Sequence, residues 1–358
     1  MCDKEKIKKK ISVIIPCYNV ERWVDRCLTS IVEQTTGIEE LEIICIDDAS
    51  TDGTWERLQE WEARYPKDIL LIRQKVNRRQ GTARNIGLQY ASAEWIAFVD
   101  ADDWVEPDYL ELLYHPALEL GCDVVCCGSV RDSTEVLTYF SKSDRTIEGK
   151  KDHFIAVDTD VTKKMLIRTQ GTTTGSCASL IRKDLLIEHG IFFPEDLVYE
   201  DRFWPPLLYS YVRGICFVEK RLYHYFSNPC STVYSEDNAH LLDWMTVQLM
   251  KWREYGRRGL LEKYRDELEY DALCDAVKIM TMLCRNENPS FSLYQLERQI
   301  ITERVPVYKD NPYFGEFQES ARCMLEALYS PLDSESFRQF WQMVKQMTML
   351  LKVLDEKG

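Results

Sequence analysis

Four short apolar runs, Ile11 to Ile15, Leu41 to Ile46, Ile69 to Ile72 and Trp95 to Val99, alternate with stretches whose apolar residues recur at helical spacing. The first of those stretches carries Val20, Trp23, Val24, Cys27, Leu28 and Ile31; the second carries Trp55, Leu58, Trp61 and Tyr65; the third runs from Ala83 to Ala91. A continuous apolar run suits a strand covered on both faces, whereas a half-solvated strand would alternate apolar with polar. Strand and helix in alternation predict an α/β fold, a parallel sheet wrapped by helices. In such sheets ligands bind beyond the carboxyl ends of the strands, so the residues that follow each run carry the functional information.

Strand one ends in Pro16-Cys17-Tyr18-Asn19 and strand two in Asp47-Asp48-Ala49-Ser50-Thr51-Asp52-Gly53-Thr54. Strand three leads to Asn77-Arg78-Arg79-Gln80-Gly81-Thr82-Ala83-Arg84-Asn85, and strand four breaks into Asp100-Ala101-Asp102-Asp103-Trp104. Three carboxylates within four residues repel one another. At the mouth of a buried strand they imply a cation, and Mg²⁺ or Mn²⁺ suits oxygen ligands that are shared with substrate phosphates. The same run also reads as an acidic turn that caps a helix through Asp102 or Asp103. Tyr18 offers a face for stacking a base, Asp48 can accept from a base or ribose, and Arg84 can meet a phosphate or a carbonyl edge. Each of the three also has a packing, capping or solvated-surface reading. No Gly-x-Gly-x-x-Gly follows strand one and no Gly-x-x-x-x-Gly-Lys-Ser/Thr occurs, which weighs against dinucleotide dehydrogenases and P-loop enzymes.

At 358 residues the chain has room for two or three domains. With 45 basic against 59 acidic residues the net charge is −14, which argues against nonspecific binding of nucleic acid. The 13 cysteines are odd in number and scattered without a Cys-x-x-Cys pair, and Cys122, Cys126 and Cys127 fall in a strand-like run, so they read as small core residues. No apolar run reaches the length of a membrane span, and Met1 to Lys10 lacks the apolar centre of a signal peptide. The expected location is the cytoplasm.

The set SVIIPCYN (Ser12 to Asn19), IDDASTDGT (Ile46 to Thr54), NRRQGTARNIGL (Asn77 to Leu88) and FVDADDW (Phe98 to Trp104) closely resembles, in order and spacing, the glycosyltransferase family 2 domain with a GT-A fold. The resemblance implies a Rossmann-like, mixed but mostly parallel sheet flanked by helices. It also implies an inverting, metal-dependent enzyme of cell-surface polysaccharide synthesis, moving a sugar from a nucleotide donor, expected to be a UDP-sugar, to a hydroxyl of a glycan or lipid-linked acceptor. By that resemblance Pro16, Tyr18 and Asp48 belong to the nucleotide site and Arg84 meets the base or diphosphate. Asp100, Ala101 and Asp102 serve the ribose and diphosphate, and Asp102 and Asp103 hold the Mn²⁺ or Mg²⁺ ion.

The segment Phe192 to Trp204 (FFPEDLVYEDRFW) resembles the family's acidic stretch, in which an Asp follows a Glu at a helix start. An inverting transferase must take a proton from the acceptor hydroxyl as it attacks, and a carboxylate within hydrogen-bond reach does this. The resemblance makes Asp201 that base and Glu200 the group that orients it or the acceptor; a plain helix cap is the alternative. Leu222-Tyr223-His224-Tyr225-Phe226-Ser227 resembles a strand whose histidine reaches the metal or diphosphate, with a packed core histidine as the alternative, and Ser231 is a weaker candidate. Two departures stand out: Cys177 to Ile181 replaces a tryptophan followed by a basic residue, and Asn228 to Thr232 replaces arginines and a serine.

The expected organisation is a catalytic domain over 1–237, with the nucleotide-sugar part in 1–130 and the acceptor and catalytic part in 131–237, followed by a helical region over 238–358 of unknown role. Asp132 to Asp160 reads as a polar, variable excursion, and later helices are expected at Tyr270 to Cys284, Leu293 to Ile301 and Phe337 to Leu354. The cluster Lys251, Trp252, Arg253, Tyr255, Arg257 and Arg258 suits either peripheral contact with an anionic membrane or a helix that packs its aromatics and solvates its charges. The last helix suits either an oligomer contact or packing on its own domain. Two rival functions stay open at this point, a nucleotidyltransferase and a catalytically silent relative that binds nucleotide or glycan. The first normally carries a glycine-rich basic loop after strand one, and Pro16-Cys17-Tyr18-Asn19 is not one.

Overall fold

The four apolar runs become β1 (Ile11–Cys17), β2 (Leu41–Asp47), β3 (Ile69–Arg73) and β4 (Trp95–Phe98), all mutually parallel where they pair. The computed structural model describes residues 9–169, 176–228 and 238–355. Between the strands lie α1 (Val24–Val32), α2 (Thr54–Arg64) and α3 (Arg79–Tyr90). β1 and β2 are buried along almost their whole length, as a strand covered on both faces must be. Helix α3 sits close on the sheet because Gly87 has no side chain, and a Cβ there would lie 2.4 Å from Ile14 Cγ2.

The sheet then continues with antiparallel and irregular additions. After β5 (Trp104–Val105) and α4 (Tyr109–Leu120) come β6 (Val124–Asp132), β7 (His153–Ala156), α5 (Asp160–Thr169), β8 (Ser179–Arg182), α6 (Lys183–Glu188), α7 (Trp204–Tyr211) and the long β9 (Gly214–Phe226). The strand order is β3-β2-β1-β4-β8-β6-β9-β5, with β7 on β9. β8 runs antiparallel to both β4 and β6, so the fold is a mixed, mostly parallel sheet flanked by helices. Cys122 and Cys126 are buried, unbridged core residues.

The polar excursion is mostly exposed, but parts of it pack on the core. β6 reaches Asp132, Leu137 and Tyr139 pack against the main hydrophobic cluster, and the Trp104 indole donates to Thr138 O at 3.1 Å.

The chain divides into two compact units, Met1–Ser231 and Thr232–Gly358. In the second, α8 (Asn238–Arg257), α9 (Leu260–Lys263), α10 (Arg265–Arg285), α11 (Phe291–Arg304), α12 (Glu319–Tyr329) and α13 (Ser334–Asp355) form an all-helical body. The basic-aromatic cluster of α8 does not form one surface. Lys251 is buried and its Nζ lies 2.6 Å from Asp271 and 2.7 Å from Asp275, Tyr255 is buried on Asp271, and Arg257 and Arg258 both pair with Glu254. That distribution removes the support for a membrane-facing patch there. No helix among the described residues is long and apolar enough to cross a membrane.

Beside the Lys251 triad, buried Glu297 accepts only a 3.3 Å bond from Gln248, and burial pushes its carboxyl up to about 8, with Asp275 adding to the effect. The folded chain therefore holds a proton that the unfolded chain, with a carboxyl near 4.3, has lost. Stability contributed at this site falls as pH rises from about 4.5 to about 8, at no more than about 1.4 kcal/mol per pH unit. Glu297→Gln carries no such penalty, so its unfolding temperature should gain on the parent's as pH rises from 5 to 8. Parallel curves would contradict this.

Candidate active site

The carboxyl ends of β1, β2 and β4 share one rim, and the loops leaving them are laced together by their own short polar side chains. Asn19, in the left-handed region at φ +52°, accepts from Thr51 N at 2.9 Å, and its own N–H donates to Ser50 Oγ at 3.0 Å. Val20 N donates to Thr54 Oγ1 at 2.8 Å, and Glu21 Oε2 accepts from Gly53 N at 2.6 Å. Tyr18 projects from this lattice and is 44% exposed. Pro16 is tolerated in β1 because the β1–β4 ladder ends at Ile14, so no strand-pairing bond to β4 needs its missing N–H. Asp48 is almost wholly buried; its Oδ1 accepts from Gln74 Nε2 at 2.6 Å and Arg78 N at 2.8 Å, and burial pushes its carboxyl up to about 6.

The segment between β3 and α3 holds the acidic stretch from the other side of the chain. Arg78 forks onto Asp196, with Nε to Oδ1 at 3.0 Å and Nη2 to Oδ2 at 2.7 Å, and also reaches Glu195 at 2.9 Å. Asn85 makes a two-way bond with the Phe193 backbone at 2.8 and 2.9 Å. Gly81 allows close approach here, since a Cβ would lie 2.4 Å from Pro194 O. These ties set Tyr199, at φ +62°, and the short 3₁₀ turn Glu200–Phe203 beside the rim.

Arg84 joins the two acidic elements. It is 2% exposed, donates through Nη1 to Glu200 Oε1, donates through Nη2 to Asp100 Oδ1 at 2.6 Å, and lies 5.3 Å from the Phe193 ring centre. Burial opposes its charge, but Asp100 and Glu200 outweigh that and hold the guanidinium charged. Arg84 is therefore a buried clamp between the two acidic elements. Burial also pushes Glu200 up to about 7, with Asp201 adding to the shift and Arg84 opposing it. Asp201, the next residue, is only partly buried.

The acidic turn splits into two roles. Asp103 faces inward: Oδ2 accepts from the Tyr223 hydroxyl at 2.6 Å and Oδ1 from Phe226 N at 2.7 Å, so both oxygens tie the turn to β9. Ala101 is buried in the core beneath the turn. Asp100 and Asp102 remain partly open; Arg84 takes one oxygen of the first, and Asn228 Nδ2 donates to Oδ2 of the second at 3.0 Å. Burial and the neighbouring Asp100 raise the Asp102 carboxyl above its ordinary range, as expected of an acid pair short of positive charge. Arg26, stacked between the Trp104 and Phe226 rings at 4.1 and 4.5 Å, donates to Asp102 O at 2.6 Å and shapes the turn.

His224 lies in the core. It is 0% exposed, its Nε2 lies 2.9 Å from Glu106 and its Nδ1 3.2 Å from Asp132, and its ring stacks on Trp104. Both nitrogens are occupied in the core, so His224 fastens β9 to β5 and β6. Ser231 lies outside the described residues.

Among the described residues no three His, Cys, Asp or Glu side chains converge on one point. A hard divalent ion is commonly held by one or two carboxylates with substrate phosphates and water completing its shell, and Asp100 and Asp102 are the two carboxylates of the turn that stay partly open. Reasoning from sequence missed Arg26, Gln74, Arg78, Asn85, Tyr223 and Asn228. Arg78 and Asn85 lie within a motif that was singled out, but nothing in the motif reveals their partners.

The model of the family "Glycosyl transferase family 2" matches residues 12–190, half of the chain. EpsH of Bacillus subtilis is 29% identical over 264 residues, covering 72% of this chain and 73% of EpsH. The poly(ribitol-phosphate) beta-glucosyltransferase of Bacillus spizizenii is 36% identical over 115 residues, 32% of this chain and 18% of that protein. Among solved structures, residues 1–349 of TarS from S. aureus in complex with UDP-GlcNAc superpose with a TM-score of 0.55 at 17% identity, covering 89% of this chain and 79% of that one. That likeness speaks to the fold, and the fold is the GT-A arrangement that carries the acidic rim described above. By the family match over residues 12–190, this chain is a glycosyltransferase of family 2.

Proposed function

We propose that the chain transfers a sugar from a UDP-sugar to a hydroxyl of a glycan or lipid-linked acceptor, with inversion at the anomeric carbon, in cytoplasmic synthesis of a cell-surface polysaccharide. The observation that carries this reading is the junction at Arg84, where one buried guanidinium binds both the Asp100 side of the acidic turn and Glu200 beside Asp201. It ties the acidic turn to the segment that carries Asp201, the two elements to which this reading gives the donor and the acceptor's proton. The UDP-GlcNAc complex of TarS and the name of the Bacillus spizizenii relative support the same class of donor and acceptor.

In this reading the exposed Tyr18 ring stacks on the base and Asp48 accepts from it. Asp100 and Asp102 would hold a Mg²⁺ or Mn²⁺ ion, which supplies charge neutralisation to the diphosphate as it leaves. Asp201 accepts the acceptor's hydroxyl proton as the oxygen attacks, and Glu200, fixed by Arg84, positions it. An α-linked donor then gives a β-linked product.

The deciding experiment incubates the purified chain with Mn²⁺ or Mg²⁺ and a panel of UDP-, GDP- and dTDP-sugars, with and without a chelator. One nucleoside diphosphate should be released, from a UDP-sugar, and the chelator should stop it. Release indifferent to the chelator, or no binding of any donor by thermal shift, would overturn the reading. In the same panel Asp102→Ala should weaken donor binding in the presence of metal by about tenfold or more, the loss expected of one charge-assisted contact.

A further inference from the structure

Arg84 is buried and paired, so a guanidinium that meets a nucleotide diphosphate beside the metal would come from another arginine at the rim. Four arginines reach this region from β3, the segment after it and α3. Arg73 pairs with Asp47 at 3.0 Å, Arg78 is forked onto Asp196 and Glu195, and Arg84 is shared between Asp100 and Glu200. Arg79 is different. It is exposed, its guanidinium makes no ion pair among the described residues, and its backbone N–H lies 3.1 Å from Asn77 Oδ1 and also serves the Asp48 carboxylate.

Arg79 directly follows Arg78, whose backbone N–H donates to Asp48 Oδ1 at 2.8 Å, which puts it beside the residue assigned to the base, and its charge favours the Asp48 carboxylate. Its backbone stands at φ +65°, in the left-handed region that a residue with a Cβ seldom adopts. An arginine kept in a conformation that glycine would take more cheaply is consistent with a side chain retained for contact and not for folding.

We infer that Arg79 is a donor-binding residue whose guanidinium meets the phosphates of the nucleotide. The inference rests on the nucleotide-sugar reading above and adds to it the cation that Arg84 does not provide. A guanidinium forks onto phosphate oxygens in a way that an ammonium does not, so the contact is specific to arginine.

The test uses the full chain with Mg²⁺ and measures binding of UDP and of uridine by calorimetry, beside unfolding temperature. Arg79→Gly removes the side chain and relieves the backbone, so its unfolding temperature should equal or exceed the parent's. Its affinity for UDP should fall about tenfold while uridine binding stays within about twofold, and Arg79→Lys should recover only part of the loss. Equal losses for UDP and uridine, or unchanged UDP binding, would overturn the inference. A lowered unfolding temperature in Arg79→Gly would also overturn it, since that marks a structural role. If the parent chain itself binds neither UDP nor uridine, the nucleotide reading falls first and this one with it.

Discussion

Asp201→Asn is expected to slow sugar transfer by about 10²- to 10⁴-fold while leaving donor binding and unfolding temperature at the parent's values, the range typical of losing a positioned general base. The substitution keeps the shape of the side chain and removes only its capacity to accept a proton. The two neighbouring acids are not equivalent. Glu200 is fully buried, held by Arg84 and pushed up to about 7, whereas Asp201 is partly open at the rim. A base must be reached by the acceptor hydroxyl, and of the two only Asp201 has surface for that. Release of nucleoside diphosphate from the turned-over donor, measured at saturating donor, reads the loss directly. An Asp201→Asn enzyme as fast as the parent would move the base elsewhere.

The first four strands were legible because each is a short apolar run with polar residues directly after it, and a strand buried on both faces leaves that pattern. In the second unit α10, α11 and α13 were legible from their 3.6-residue spacing and begin and end within five residues of the expected stretches, whereas α9 and α12 were not among them. What sequence could not settle was which polar residues face inward. Asp103 and His224 look like ligands in a linear reading, because acids after a strand and a histidine among aromatics suit a metal. Their partners come from far along the chain: Asp103 meets Tyr223 and Phe226, and His224 meets Glu106 and Asp132. Those meetings depend on β9 pairing with both β5 and β6, a register that local pattern does not encode. The polar excursion after β6 makes core contacts of the same long-range kind: Phe140 packs on His224 and its N–H donates to Glu106 at 2.7 Å.

Arg84→Met tests the other half of the assignment and should show first in stability. Removing one partner of a buried ion pair costs about 3–5 kcal/mol, because the charge left behind is desolvated and unpaired. Here two carboxylates, Asp100 and Glu200, lose their partner at once. At about 2–4 °C per kcal/mol for a body of this size, the transition of the first unit should move down by roughly 6 to 20 °C. Adding Glu200→Met to Arg84→Met removes one stranded acid and should restore part of the loss, a coupling expected of contacting residues and not of distant ones. The expectation drawn from the sequence makes the opposite forecast. An arginine presented to a base or diphosphate would, when replaced, weaken donor binding while leaving the unfolding temperature unchanged, and it would show no coupling with Glu200. Thermal unfolding of the two single variants and the double variant, each with and without UDP, separates the buried clamp from the ligand contact. The 2.6 Å bond to Asp100 adds a second consequence for the clamp: with Arg84 gone, the acidic turn loses the anchor that orients one of its two cation-holding carboxylates. Metal-dependent donor binding should then weaken in Arg84→Met even well below its unfolding transition, and Glu200→Met alone should leave that binding intact.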